Sequence, residues 1–265
     1  MLHDLNLAKA GAAGRAGEDA AITTVSRAFA GADLFARMRA IRDSVPGRIV
    51  FTTSFGIEDQ ALTHAIFAQD IDIDILTLDT GRLFPETYAV WSQTERRYGR
   101  RIAAVYPERE ALEGLIARQG IDGFRDSVPA RQSCCHVRKV APLRRALFGV
   151  TGWVTGLRAG QSAGRAQTPP AEHDAAFGIL KINPLFDWTR DAVAAFANEH
   201  RIPVNALHDR GFPSIGCAPC TRAIEPGEHE RAGRWWWEQE DKKECGLHQH
   251  PASDGAHLAV TDASR

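Results

Sequence analysis

The sequence predicts an α/β fold, a mostly parallel sheet with helices on both faces and an irregular C-terminal tail. Three observations carry this. Runs rich in β-branched residues alternate with stretches of helical period in β-α-β-α-β order, the wiring of parallel sheets. Small or hydroxyl residues follow the first two runs and a Gly-rich loop follows a later one, the ends at which such sheets bind ligands. From Gly211 onward the periodicity gives way to Gly, Pro, Cys, Trp and charge.

The elements follow in order. Residues 1–25, Ala/Gly-rich at the start, read as a flexible arm, helical at most loosely. Leu34, Met38 and Ile41 are spaced four and three apart, the stripe of an amphipathic helix that ends near Pro46. Strands are then expected over 48–53, 73–78 and 101–106, and helices over 58–67, 85–98 and 109–118. Two later strands are expected over 153–156 and 180–183. A helix over 189–199 has Thr189 as its N-cap. The division that results is an arm (1–25), an α/β nucleotide-binding domain (26–210), and a Cys-x-x-Cys segment with a mobile tail (211–265).

Composition narrows the class. Of 265 residues, 44% are hydrophobic, enough for a core, and 32 Lys+Arg against 33 Asp+Glu leave a net charge of -1. That balance argues against nucleic acid as a partner. No apolar run reaches signal-peptide or membrane-spanning length, so no membrane association is expected and the chain reads as cytoplasmic. Five cysteines in a reducing compartment argue for metal ligation or thiol chemistry over disulfides.

Three loops stand at or near strand ends. Ser54, Phe55 and Gly56 turn the first strand into a helix, where backbone N–H groups and the positive helix end favour phosphate or sulfate. Asp79, Thr80 and Gly81 follow the second; the aspartate can accept from a ribose hydroxyl or base amine, and the glycine lets backbone approach a ligand. Arg158 and Arg165 flank a Gly-rich stretch after a later strand, as in a clamp over an anion. Any one of these is also an ordinary turn or solvated loop. Together they suit an adenine nucleotide.

Cys217 and Cys220 form a Cys-x-x-Cys, the spacing that lets two thiolates bind one centre. Cys134 and Cys135 are adjacent, which is awkward around one small ion and easier around a cubane with a separate iron for each thiolate. That geometry favours iron–sulfur and leaves a Cys₄ zinc site open. Cys245 stands apart, beside Lys242, Lys243 and His248. Cations stabilise the reactive thiolate, Glu244 opposes them, and Gly246 suits a segment that swings.

The run from Cys134 to Leu143 (CCHVRKVAPL), the Cys217/Cys220 pair and the Glu244–His248 stretch (ECGLH) resemble the bacterial assimilatory adenylyl-sulfate reductases. The likeness covers roughly residues 45 to 250. It implies an adenine-nucleotide α-hydrolase-like fold and a [4Fe-4S] cluster on Cys134, Cys135, Cys217 and Cys220. The implied substrate is adenosine 5′-phosphosulfate, contacted by the three loops and by Lys139, Arg158, Arg231, Arg234 and His248. Cys245 is implied as the nucleophile that takes the sulfonate, which a thioredoxin-like electron donor then releases as sulfite.

Reductases of the 3′-phosphorylated substrate typically lack the four ligand cysteines, which favours the unphosphorylated substrate and keeps a phosphoadenylyl-sulfate or dual-specificity reductase as the alternative. A tRNA sulfur transferase would show a Ser-Gly-Gly-x-Asp-Ser loop; this chain has Ser-Phe-Gly-Ile-Glu-Asp. Trp235, Trp236 and Trp237 cannot all face one core, so packing at a subunit contact or under the tail is expected of at least one. A homo-oligomer stays open.

Overall fold

The computed structural model describes residues 17–239 and 246–247. Its six-stranded sheet has the order β3-β2-β1-β4-β6-β5, where β1 is Ile49–Thr53, β2 Asp74–Leu78, β3 Ala103–Val105, β4 Gly152–Val154, β5 Ala171–Asp174 and β6 Ile179–Ile182. All neighbours pair parallel except β5, which runs antiparallel on β6 with Ala171 opposite Ile182. The expected strands are thus present within a residue or two, and β5 is an addition.

Side chains that alternate along a strand feed two cores, as period two requires. Ile49, Phe51, Ile75 and Val154 enter one, with helix α1 (17–29), α2 (Leu34–Ser44), α3 (Ile57–Ala68), α4 (Pro85–Tyr98) and α8 (Arg190–Glu199). Val50, Leu76 and Trp153 enter the other, where Leu143 of α7 (Ala141–Ala146) covers them. Helices therefore lie on both faces. The Leu34/Met38/Ile41 stripe is fully buried. Asp33 caps α2 by accepting from the Ala36 N–H at 2.7 Å, and Thr189 caps α8 by accepting from the Ala192 N–H at 3.1 Å.

Two boundaries differ from expectation. Residues 17–29 are helical, and Ala21, Val25 and Phe29, four apart, are core residues, so the arm cannot extend to 25. Residues 211–239 are irregular but integral. Cys217, Cys220 and Trp235 pack with Phe124 and Cys135, and a buried Arg131–Glu238 ion pair at 2.8 Å ties this segment to α6 (Val128–Cys135). A π turn, His136–Val140, joins α6 to α7 without a break. Helix α5 (Arg109–Gln119) precedes them. Among the described residues no helix is long and apolar enough to cross a membrane.

The chain passes from β1 outward to β2 and β3, then returns to β4 on the other side of β1. That reversal opens a crevice beyond the carboxyl ends of β1 and β4.

Candidate active site

A cavity of about 190 Å³ occupies this crevice. Ser54 and Gly56 reach it from the end of β1, Thr80 from the end of β2, and Thr155, Gly156, Gln161 and Arg165 from the chain after β4. Lys139 of the π turn, and Glu230, Arg231 and Arg234 of the irregular segment, complete the wall.

The β1 turn is held from within. Asp59, in the first turn of α3, accepts from both the N–H and the hydroxyl of Ser54 at 2.6 Å. Burial pushes its carboxyl up to about 6 despite those two bonds. Phe55 adopts a positive φ of 60° and donates its N–H to Thr53 Oγ1 at 3.0 Å. Its ring is fully buried and stacked on Trp91, so Phe55 shapes the turn and is not part of the cavity lining. Gly156 is needed opposite: a Cβ there would sit 2.2 Å from Asp59 Oδ1.

After β2, Asp79 Oδ1 accepts from the Gly81 N–H at 2.8 Å and the Tyr88 hydroxyl at 2.9 Å. Burial, then the Asp79 bond, pushes the Tyr88 phenol up to about 12. Asp79 and Gly81 build this turn but do not line the cavity, whereas Thr80 between them does.

Of the expected cations, Lys139, Arg231 and Arg234 line the cavity. Arg234 lies over the Trp235 ring at 4.6 Å, and its buried Nε has no hydrogen-bond partner among the described residues. Gly216 makes room for it, since a Cβ would fall 2.3 Å from Arg234 Nη2. Arg158 is outside the lining and bound to two carboxylates, Glu58 and Glu230. Cys245 and His248 lie outside the described residues. Leu247, two positions after Cys245, lines the cavity.

Cys134, Cys135, Cys217 and Cys220 are all free thiols and line a second, smaller cavity with Arg82, Arg131, Arg138 and Lys139. Lys139 therefore borders both cavities. Burial pushes the Cys134 thiol up, and burial followed by the charge of Cys217 pushes Cys220 up to about 11. Burial also works to raise Cys217, but Lys139, the Thr80 hydroxyl and Arg234 outweigh it and hold that thiol below its ordinary value. Among the described residues no three His, Cys, Asp or Glu side chains form a single-ion site. The four thiols share this cavity.

The sequence profile of the phosphoadenosine phosphosulfate reductase domain matches residues 48–223. This chain belongs to that family. It is 54% identical over 220 residues to the adenosine 5′-phosphosulfate reductase of Agrobacterium fabrum, covering 83% of this chain and 84% of the relative. It is 55% identical over 215 residues to the enzyme of that name from Allochromatium vinosum, covering 80% and 84%. The crystal structure of phosphoadenylyl-sulfate reductase from Candida auris, a phosphate complex, superposes with a TM-score of 0.65 at 25% identity, covering 77% of this chain and 96% of the other.

Family membership agrees with the resemblance read from the cysteine and tail motifs. Gln161 and Arg165 of the Gly-rich loop line the cavity, which adds Glu58, Asp59 and Glu230, to which the sequence reading gave no ligand-site role. Asp59 had a legible signal, a carboxylate in the first turn of a helix that begins at a Ser-x-Gly turn.

Proposed function

We propose that this chain is an adenylyl-sulfate reductase, reducing adenosine 5′-phosphosulfate to sulfite and AMP in sulfate assimilation. The observation that carries the reading is the sharing of Lys139 between the strand-end cavity and the four-thiol cavity. An anionic thiolate must approach an anionic substrate, and Lys139, Arg231 and Arg234 supply the cations that make this possible. Arg234 Nε, buried and without a hydrogen-bond partner among the described residues, can donate to such an anion.

In the first step the Cys245 thiolate attacks the sulfur of the phosphosulfate. The S–O bond breaks, AMP leaves with the electron pair, and Cys245 carries an S-sulfonate. His248 contacts the same substrate. In the second step a thiolate of a thioredoxin-like dithiol attacks the Cys245 sulfur, and sulfite leaves. The partner's other thiol then resolves the mixed disulfide, restoring Cys245 and leaving the partner oxidised by two electrons. Leu247, two positions after Cys245 in the sequence, lines the cavity.

Cys134, Cys135, Cys217 and Cys220 would hold a [4Fe-4S] cluster. Four thiols that line one cavity suit a separate iron for each thiolate, and the cations beside them, Arg138 and Lys139 among them, offset the charge of the donor set. When bound, the cluster would supply a fixed charge and an anchor between the end of α6 and the Cys-x-x-Cys segment. A cytoplasmic location suits these reduced thiols.

Anaerobic sulfite release with thioredoxin tests the reading. Adenosine 5′-phosphosulfate should be turned over much faster than its 3′-phosphorylated form. Near-equal rates would favour a dual-specificity reductase, and the reverse order a phosphoadenylyl-sulfate reductase.

A further inference from the structure

Arg158 follows β4, and the resemblance makes it a substrate cation, yet the residue is 1% exposed and outside the cavity lining. Its Nε donates to Glu58 Oε1 at 2.8 Å, and its Nη2 donates to the two Glu230 oxygens at 2.7 and 2.8 Å. Arg190 Nη1 adds a longer contact to Glu230 at 3.5 Å and donates to the Pro213 carbonyl at 3.2 Å. Glu58 belongs to the first turn of α3, the helix that begins at the Ser54–Gly56 turn. Glu230 immediately precedes Arg231, which lines the cavity.

Backbone bonds anchor the far end of residues 229–235, where the Arg222 N–H donates to the Gly233 carbonyl at 2.9 Å and the Trp235 N–H to the Cys220 carbonyl at 3.1 Å, while Glu230, next to Arg231, is held by its side chain. A guanidinium bonded to two carboxylates has its charge matched locally and little left for a third anion. We infer that Arg158 is a positioning residue: it ties Glu230 to Glu58 and thereby aims Arg231 into the cavity, without touching substrate itself. The inference rests on the reductase reading and gives Arg158 a different part in it.

The sign of one substitution separates this from plain electrostatics. Glu230 lines the cavity, so Glu230→Gln removes a negative charge from the wall facing a polyanion. Charge alone predicts tighter binding, whereas loss of the tie predicts weaker binding.

The test uses cluster-loaded protein with Glu230→Gln, Arg158→Met, Arg158→Lys and the Arg158→Met/Glu230→Gln double variant. It measures KM and kcat for sulfite release and, separately, the Kd of AMP by calorimetry. Each single loss should raise KM and the AMP Kd about tenfold with kcat changed less than about threefold, and the double should add less than about twofold, because both act through one tie. Arg158→Lys should restore part of the loss. Tighter binding in Glu230→Gln, or losses that multiply in the double variant, would overturn the inference. If Arg158→Met does not fold, the direction of the Glu230→Gln change and the Arg158→Lys value decide. Wild-type protein that binds AMP but releases no sulfite would sink the reductase reading instead, and the AMP cycle would still judge Arg158.

Discussion

Thr80 Oγ1 lies 3.3 Å from Cys217 Sγ, and the same threonine lines the strand-end cavity, so one side chain belongs to both halves of the site. Arg138 Nη1 donates to the Thr80 carbonyl at 2.6 Å, and the Arg82 N–H donates to its hydroxyl at 3.2 Å. The turn after β2 is therefore pinned from the π turn and from its own backbone.

Thr80→Val removes the hydroxyl at constant shape and leaves the Arg82 N–H and the Cys217 thiol without it. The expected cost is about 1 kcal/mol, a fall in Tm of about 2–4 °C for a chain of this size. Thr80→Ser should stay close to wild type in the same thermal scan. Equal melting of the two variants would remove the hydroxyl from the account.

Gly216→Ala places a Cβ 2.3 Å from Arg234 Nη2 and forces that guanidinium out of its position. Loss of one charge-assisted contact predicts AMP binding weaker by about 10- to 100-fold. Calorimetric titration reads this directly, and an unchanged Kd would show that Arg234 does not hold the nucleotide phosphate.

Asp59 gives a pH signature. Burial raises its carboxyl from 3.8 to about 6 in the folded chain. A raised carboxyl contributes stability that is complete below 3.8 and lost as pH rises through about 6. The gap is worth about 3 kcal/mol. Asp59→Asn abolishes this titration, so the stability of wild type relative to the variant should fall between about pH 4 and 7 by up to that amount and then level off. Urea unfolding across the range checks it. A difference that rises with pH would contradict the assignment.

The Arg131–Glu238 pair joins α6 to the end of the irregular segment, with side chains 0% and 3% exposed. Removing one member leaves a buried charge, so Glu238→Ala should cost about 3–5 kcal/mol in chemical denaturation. Arg131 also lies over the Trp235 ring at 4.9 Å, which makes indole fluorescence a local reporter of the same change. A loss below about 1 kcal/mol, the worth of a surface pair, would mean the pair is solvated.

The parallel sheet was legible because buried parallel strands read as β-branched runs, and the neighbours Ile49 and Val50 of β1 show that pattern on the two faces. β5 was not: its four residues, Ala-Glu-His-Asp, form an edge strand with no apolar alternation. Helix α1 did carry its period in Ala21, Val25 and Phe29, but the Ala/Gly-rich start of the chain masked it. Among the site residues, Ser54, Gly56, Thr80, Lys139, Arg231 and Arg234 come together in the lining of one cavity. Arg158 did not, because its partners Glu58 and Glu230 lie 100 and 72 positions away and local sequence holds no trace of that pairing. The integration of residues 211–239 is likewise made of distant contacts, Trp235 with Phe124 and Glu238 with Arg131.

The central claim is that Cys245 takes the sulfonate while the other four cysteines do not. Intact and peptide mass spectra after anaerobic incubation with adenosine 5′-phosphosulfate, with no dithiol donor present, test it most directly. The account predicts one added sulfonate group, located on the peptide that carries Cys245, and none in Cys245→Ser, which should keep its brown cluster absorbance. A sulfonate that still forms in Cys245→Ser, or that maps to Cys134, Cys135, Cys217 or Cys220, would contradict it.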